Sequence, residues 1–366
     1  MFVAMLAFAI TVLCILMLFP AAIRAQSSGE PLPQVESRKK SKESSSHLVR
    51  TQKIEVTSEI ASSFDDPLEC DGDGNFYLQS ERHGVSGIRK LNSKGERTAL
   101  FQPIAPDIKI DMVGYFALGQ GGELYQLVFP HELTRYVFVY KSDGSYKSAI
   151  KLQPGFAWQP SALAVFPSGS LLVSGLEYGS DRKNNVMWPF TGIFSPDGAL
   201  LKEIKLEDDD NIHDMAASGD PRIMSPVNPQ ANHAVDFSQM EAAADGNIYL
   251  MRWLTPAIFY AISPGGEVVR RFTVDPGDAD LRPTEMHIAG NRIAVLFFHP
   301  QTMATRMKIV DLEGREIATY DEAGDAKSEL GGLGTAFACY TANPERFAFL
   351  ATGDDQKIEF LVAEPR

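Results

Sequence analysis

The residues best equipped for chemistry gather in one stretch. Glu207-Asp208-Asp209-Asp210-Asn211-Ile212-His213-Asp214 is followed, beyond Pro221, Pro226 and Pro229, by His233 and Asp236. Carboxylates beside two imidazoles offer the oxygen and nitrogen donors of a metal site, and the candidate ligands are Asp210, His213, His233 and Asp236. Their spacing matches neither an EF-hand loop nor a His-Glu-x-x-His helix, so a solvated acidic loop is the competing reading. A second set consists of aromatic and cationic residues suited to recognition: Arg82, His83, Arg135, Trp158, Trp188, Arg252, Trp253 and His299. No Gly-x-Ser-x-Gly elbow and no Gly-x-x-x-x-Gly-Lys phosphate loop occurs. Cys70 and Cys339 have apolar neighbours, which argues against a thiolate nucleophile. No catalytic residue and no cofactor is assigned.

The elements that must position these residues come from a recurring two-beat phrase. A glycine turn runs into an apolar strand at Gly74-Asn75-Phe76-Tyr77-Leu78, Gly122-Glu123-Leu124-Tyr125, Gly169-Ser170-Leu171-Leu172-Val173, Gly246-Asn247-Ile248-Tyr249-Leu250 and Gly290-Asn291-Arg292-Ile293. A later strand ends in a second glycine turn at Lys94-Gly95, Asp143-Gly144, Asp197-Gly198, Gly265-Gly266 and Glu313-Gly314. Two hairpins per unit at this period predict propeller blades. The expected fold is all-β: a six-bladed β-propeller with four antiparallel strands per blade. Its blades span 65–100, 111–152, 161–206, 236–275, 284–320 and 334–364. The last unit has three strands, and Lys53–Ile60 is an orphan strand at the other end of the domain. We expect it to complete the sixth blade and close the ring, because an open ring leaves bare strand edges.

In such a blade the short glycine turns share one end. The other end carries the connections Phe129 to Arg135, Glu177 to Phe190, Glu207 to Val235 and Phe298 to Thr305. All three tryptophans and His83, His131, His213, His233 and His299 lie in or beside those connections, which marks that face for binding. Cys70 and Cys339 fall in the inner strands of the first and last blades. Innermost strands of adjacent blades usually stand too far apart for relaxed disulfide geometry, so two buried thiols are expected rather than a bridge.

The strands Ala164-Val165-Phe166-Pro167-Ser168-Gly169 and Ala243-Ala244-Asp245-Gly246-Asn247-Ile248-Tyr249-Leu250 resemble the repeats of the NHL-repeat and related six-bladed propeller families. Among such relatives, lactonase-like enzymes hold calcium at the channel mouth with acids from inner strands. The resemblance implies comparable positions for Glu69, Asp111, Glu241 and Glu285; channel acids solvated by water are the alternative.

A net charge of −13 over 366 residues argues against a nucleic-acid role, which needs a basic stripe to neutralise phosphates. Phe2 to Phe19 is uncharged and is followed by Ala21-Ala22-Ile23-Arg24-Ala25. Residues 1–25 therefore read as a signal peptide cut after Ala25, or as a retained membrane tether through residues 2–19. Residues 26–49, rich in serine and containing Arg38-Lys39-Lys40-Ser41-Lys42, read as a disordered linker, and 50–366 as the propeller. The expected function is an exported, periplasmic or extracellular propeller. It binds a protein, peptide or glycan through its long-connection face without catalysis. The alternatives are a calcium-assisted hydrolase or lactonase at the channel mouth, and an assembly scaffold held near a membrane.

Overall fold

The computed structural model describes residues 47–56, 64–82, 85–130, 134–178, 187–224, 232–322, 336–352 and 357–366. Side chains are described for all of these except 64–67, 80–82, 85, 86, 322 and 352. The leader, almost all of the linker, His83 and His131 lie outside the described residues, as does the side chain of Arg82.

The described strands form six antiparallel sheets of four, each sheet ordered as the strands occur except the last. Five blades span residues 64–101, 110–152, 158–203, 239–274 and 282–322. In the sixth, Leu48–Glu55 pairs with Ile358–Pro365, from Leu48 opposite Pro365 to Glu55 opposite Glu359. The N-terminal strand is thus the outermost strand of the last blade, and the ring closes as expected, although the strand lies earlier than Lys53–Ile60. The innermost strands touch in cyclic order, including Phe64–Cys70 of the first blade against Ala336–Ala342 of the last. This is a six-bladed β-propeller.

Apolar side chains fill the seams between blades. Leu127 and Val137 of the second blade join Trp158, Leu163 and Val173 of the third in one core. The seam between the last and first blades buries Ile54, Leu68, Phe76, Ala348 and Phe360 together, with Phe76 stacked on Phe360 at 4.0 Å. That seam also carries a disulfide. Cys70 and Cys339 are bonded, with Cα atoms 5.4 Å apart, which corrects the expectation of two free thiols. The innermost strands converge here closely enough to fall within ordinary disulfide spacing.

The two glycine beats have different physical causes. Gly144 sits at φ 89°, and a Cβ there would lie 2.5 Å from the carbonyl oxygen of Leu100 in the preceding blade. Gly246 sits at φ 83° with open space around it. The second beat therefore serves the turn and the packing of one blade on the next; the first serves the turn alone. We expect Gly144→Ala to cost about 3 kcal/mol or more, and Gly246→Ala about 1 kcal/mol. Chemical denaturation of both variants checks this, and equal losses would remove the packing role.

The tyrosine of the Gly-Asn-x-Tyr phrase also has a task. Tyr77 donates to Asp71 (3.0 Å), which opens its glycine turn, and Tyr249 to Asp245 (2.9 Å), which stands inside its turn beside Gly246. A cation completes each group, Lys90 at 3.4 Å from Asp71 and Arg270 at 4.0 Å from Asp245. The phenols lock the turn to the strands beneath it.

Candidate functional site: channel centre and aromatic face

An innermost strand has no sheet partner on its channel side, so its backbone amides need side chains from the next blade. Gln239 of the fourth blade donates to Thr284 O (3.0 Å) and accepts from Met286 N (2.7 Å) of the fifth. Glu241 accepts from Ile288 N (2.5 Å), and Glu285 of the fifth blade accepts from Phe337 N (2.9 Å) of the sixth. Polar residues in these strands therefore fasten successive blades near the axis.

His287 stands at the middle of this chain of contacts. Its Nδ1 lies 2.8 Å from Glu241 Oε1, and its Nε2 lies 3.0 Å from Phe337 O. A carbonyl can only accept, so Nε2 carries a proton; the carboxylate on the other side asks the same of Nδ1. The ring is an imidazolium bridging three blades. Burial opposes that charge, but the Glu241 carboxylate outweighs it, with Glu69 adding to the pull, and the His287 pKa is pushed up to about 9.

Glu69 reaches the same place from the first blade. Ligand atoms of Glu69, Glu241 and His287 lie within 4.8 Å of one another. Burial first, then repulsion from Glu241, holds the Glu69 carboxyl well above the usual carboxylate range, with His287 pulling it part-way back. The cavity they line, with Glu285 and Gln239, measures about 20 Å³. That is room for a water-sized occupant and no more.

The sequence singled out Glu69, Glu241 and Glu285 and missed His287. A signal was present. Glu69, Glu241 and His287 each stand two residues before the residue that opens the following turn: Asp71, Ala243 and Ala289. They occupy one level of the channel, near its glycine-turn end, rather than the long-connection mouth. Asp111, also singled out, is exposed and is not in this group.

The proposed ligands Asp210, His213, His233 and Asp236 do not converge. Among the described residues, Glu69, Glu241 and His287 alone form a cluster of metal-ligand spacing. The acidic run is not a solvated loop either. It builds helix α1 (Asp209–Ala217), and the connection adds a short helix α2 (His233–Asp236). Arg252, fully buried, donates to Asp209 Oδ1 (2.9 Å) and to the hydroxyl of Ser174 (3.0 Å). Tyr260 donates to Asp208, and Asp209 Oδ2 accepts from Leu206 N at 2.8 Å. These acids anchor the connection to the third and fourth blades. Asp210 pairs with Lys205 at 3.0 Å, and Asp236 accepts from Asn232 N at 2.9 Å. Burial raises the Asp236 carboxyl to about 6.

The recognition candidates divide by burial. Arg252 is spent on Asp209. Trp158 is core, packed against Phe190 at 5.3 Å and Phe194 at 5.5 Å, because a large ring is needed to plug the seam between two twisted sheets. Neither is a surface residue, which corrects both assignments. Arg135 is half-buried over the Phe129 ring at 5.3 Å. His299 shapes its own turn, its Nδ1 accepting from Gln301 N (3.2 Å) and Thr302 N (3.3 Å).

Trp188 reaches the surface against α1 and Trp253 is half-buried against α2, two helices that share a small core of Leu176, Ile212, Ala216, Ile223, Ala234 and Val235. Trp188 is 41% exposed and stacks on His213, with centroids 3.4 Å apart and planes 6° from parallel. Trp253 packs edge-on against His233 (5.7 Å) and Phe237 (5.6 Å), and Phe237 is 42% exposed.

No family model and no curated protein matches the chain. Several solved structures are similar to it. One is the PQQ-bound aldose sugar dehydrogenase of Streptomyces coelicolor: 11% identity, TM-score 0.46, covering 88% of this chain and 98% of that one. Another is a protein provisionally assigned as a gluconolactonase: 13% identity, TM-score 0.44, covering 88% and 93%. A eukaryotic initiation factor matches at 10% identity and TM-score 0.35 over 70% of this chain, which spans 55% of that chain's length. At these values the likenesses bear on neither activity nor ligand.

Proposed function

We infer that this protein is an exported binding propeller that captures a protein, peptide or glycan ligand on its long-connection face without transforming it. One observation carries the reading: two aromatic groups, Trp188 stacked on His213 and Phe237 packed beside Trp253, each present an exposed ring at the helices of the long connection. Rings fixed before binding lose little entropy on contact and offer flat faces to a sugar ring or an apolar side chain. The Cys70–Cys339 disulfide supports an oxidising compartment and hence export. The Gly-Asn-Ile-Tyr phrase supports a place among NHL-repeat-like propellers.

A calcium-assisted hydrolase fits the channel poorly. Calcium takes oxygen ligands, yet His287 presents two donor nitrogens, and both Glu241 oxygens and one Glu285 oxygen are already engaged.

The test is a screen of glycan and peptide arrays with the wild type and a Trp188→Ala/Phe237→Ala variant. We expect the variant to lose about tenfold or more in affinity for any ligand found, since exposed aromatic anchors contribute about 1–3 kcal/mol each. Ligands bound equally well by both proteins would place recognition elsewhere.

A further inference from the structure

We propose that the cleft between the sixth and first blades, on the glycine-turn face, is a separate site for a small amphipathic organic anion: an apolar body carrying one acidic head. The cleft has a volume of about 520 Å³, within the range of small-molecule sites. Ile54, Phe76 and Val362, each almost wholly buried in the seam, show their edges at its apolar floor. Lys94 and Arg346 stand at it as cations; Asp73 also lines it, and Glu364 is paired with Arg346. Arg346 is held through Nε on Glu364 (2.8 Å), which leaves its two terminal NH₂ groups to donate, and its side chain is half-exposed. Lys94 forms no ion pair among the described residues. Two cations over an apolar floor match a carboxylate or sulfonate on a hydrocarbon body.

Towards the axis the Cys70–Cys339 bond ties the two blades, and Cys339 itself lines the cleft. At the rim the ladder between Leu48–Glu55 and Ile358–Pro365 fixes the outer strand, from which Gln52 and Ile54 face the cleft. The disulfide holds the axial end of the gap, so that end is preorganised and little binding energy is lost in forming it. This site lies on the glycine-turn face and does not depend on the aromatic surface of the opposite face.

The probe is anilinonaphthalene sulfonate, followed by its fluorescence with folded protein at neutral pH and displaced with decanoate. We expect one saturable site. A Lys94→Glu/Arg346→Glu variant should weaken binding about tenfold or more, a loss of the size a charged contact commands. Gln52→Trp, placed on an exposed strand position so that folding is spared, should block the cleft and abolish the signal. Decyltrimethylammonium should displace the dye far less well than decanoate. Binding unchanged in both variants, or equal displacement by the cationic amphiphile, overturns the proposal. So does loss of the dye signal in Trp188→Ala/Phe237→Ala, because that result would seat the dye on the aromatic surface instead.

Discussion

Replacing Glu241 by alanine is expected to cost the fold about 3–5 kcal/mol at neutral pH, because it leaves the His287 imidazolium buried without its counter-charge. It also strips an acceptor from Ile288 N. Urea unfolding of the variant measures this directly. The pH dependence has a definite sign. The His287 pKa is raised to about 9 from 6.5, so its contribution is complete below about pH 6.5 and is lost as the pH rises through 9. Glu69 works in the same direction: its carboxyl is raised by burial and by Glu241, so the folded form keeps a proton that the unfolded chain gives up near pH 4.5. The other acid facing this group, Glu285, is bonded to Phe337 N. Stability should therefore fall from mildly acid to mildly alkaline pH, by about 3 kcal/mol from His287 alone. In His287→Gln most of that slope above pH 6.5 should vanish. A wild-type profile that is flat or rises between pH 6.5 and 9 would contradict the buried imidazolium.

The second large effect belongs to Asp209. Asp209→Ala leaves the fully buried Arg252 guanidinium with hydroxyl partners only, among them Ser174 and Ser238. A loss of about 3–5 kcal/mol follows, with Asp209→Asn losing less because an acceptor oxygen survives. The double variant Asp209→Leu/Arg252→Met should recover much of the loss, since two apolar side chains need no counter-charge. Because Asp209 opens helix α1, the single variant should also alter the near-ultraviolet circular dichroism of Trp188, whose ring rests on His213 of that helix. A cost below about 1 kcal/mol would show that the pair is not what anchors the connection.

Both effects depend on residues that carry different weight in the sequence and in the structure. The acids 207–210 read as candidate ligands or as a solvated loop, because a one-dimensional pattern cannot show that a cationic side chain forty-odd residues later will be buried beside them. Arg252 and Trp158 have the composition of an interface, yet the twist of adjacent sheets takes both into the interior. Trp188 and Trp253 have the same composition, and the packing of the connection leaves Trp188 at the surface and Trp253 half-buried. Residue type limits what a side chain can do; burial selects among the options.

The blade pattern was legible because its causes are local. A turn that needs positive φ selects glycine, and a strand buried between blades selects apolar residues, wherever the two occur along the chain. Closure by the N-terminal strand could also be read, since counting three strands in the last unit left one edge to cover. Contacts across the ring were a different matter. Cys70 and Cys339 are 269 residues apart, and their bond depends on how closely two inner strands approach at one seam. His287 likewise meets Glu69 and Glu241 only because the ring brings equivalent levels of three blades to the axis. Local backbone geometry is written in neighbouring residues, so the sequence by itself determined the blades and their closing strand. The distances across the channel and along each seam depend on the curvature of the whole ring, and only the tertiary structure decided those.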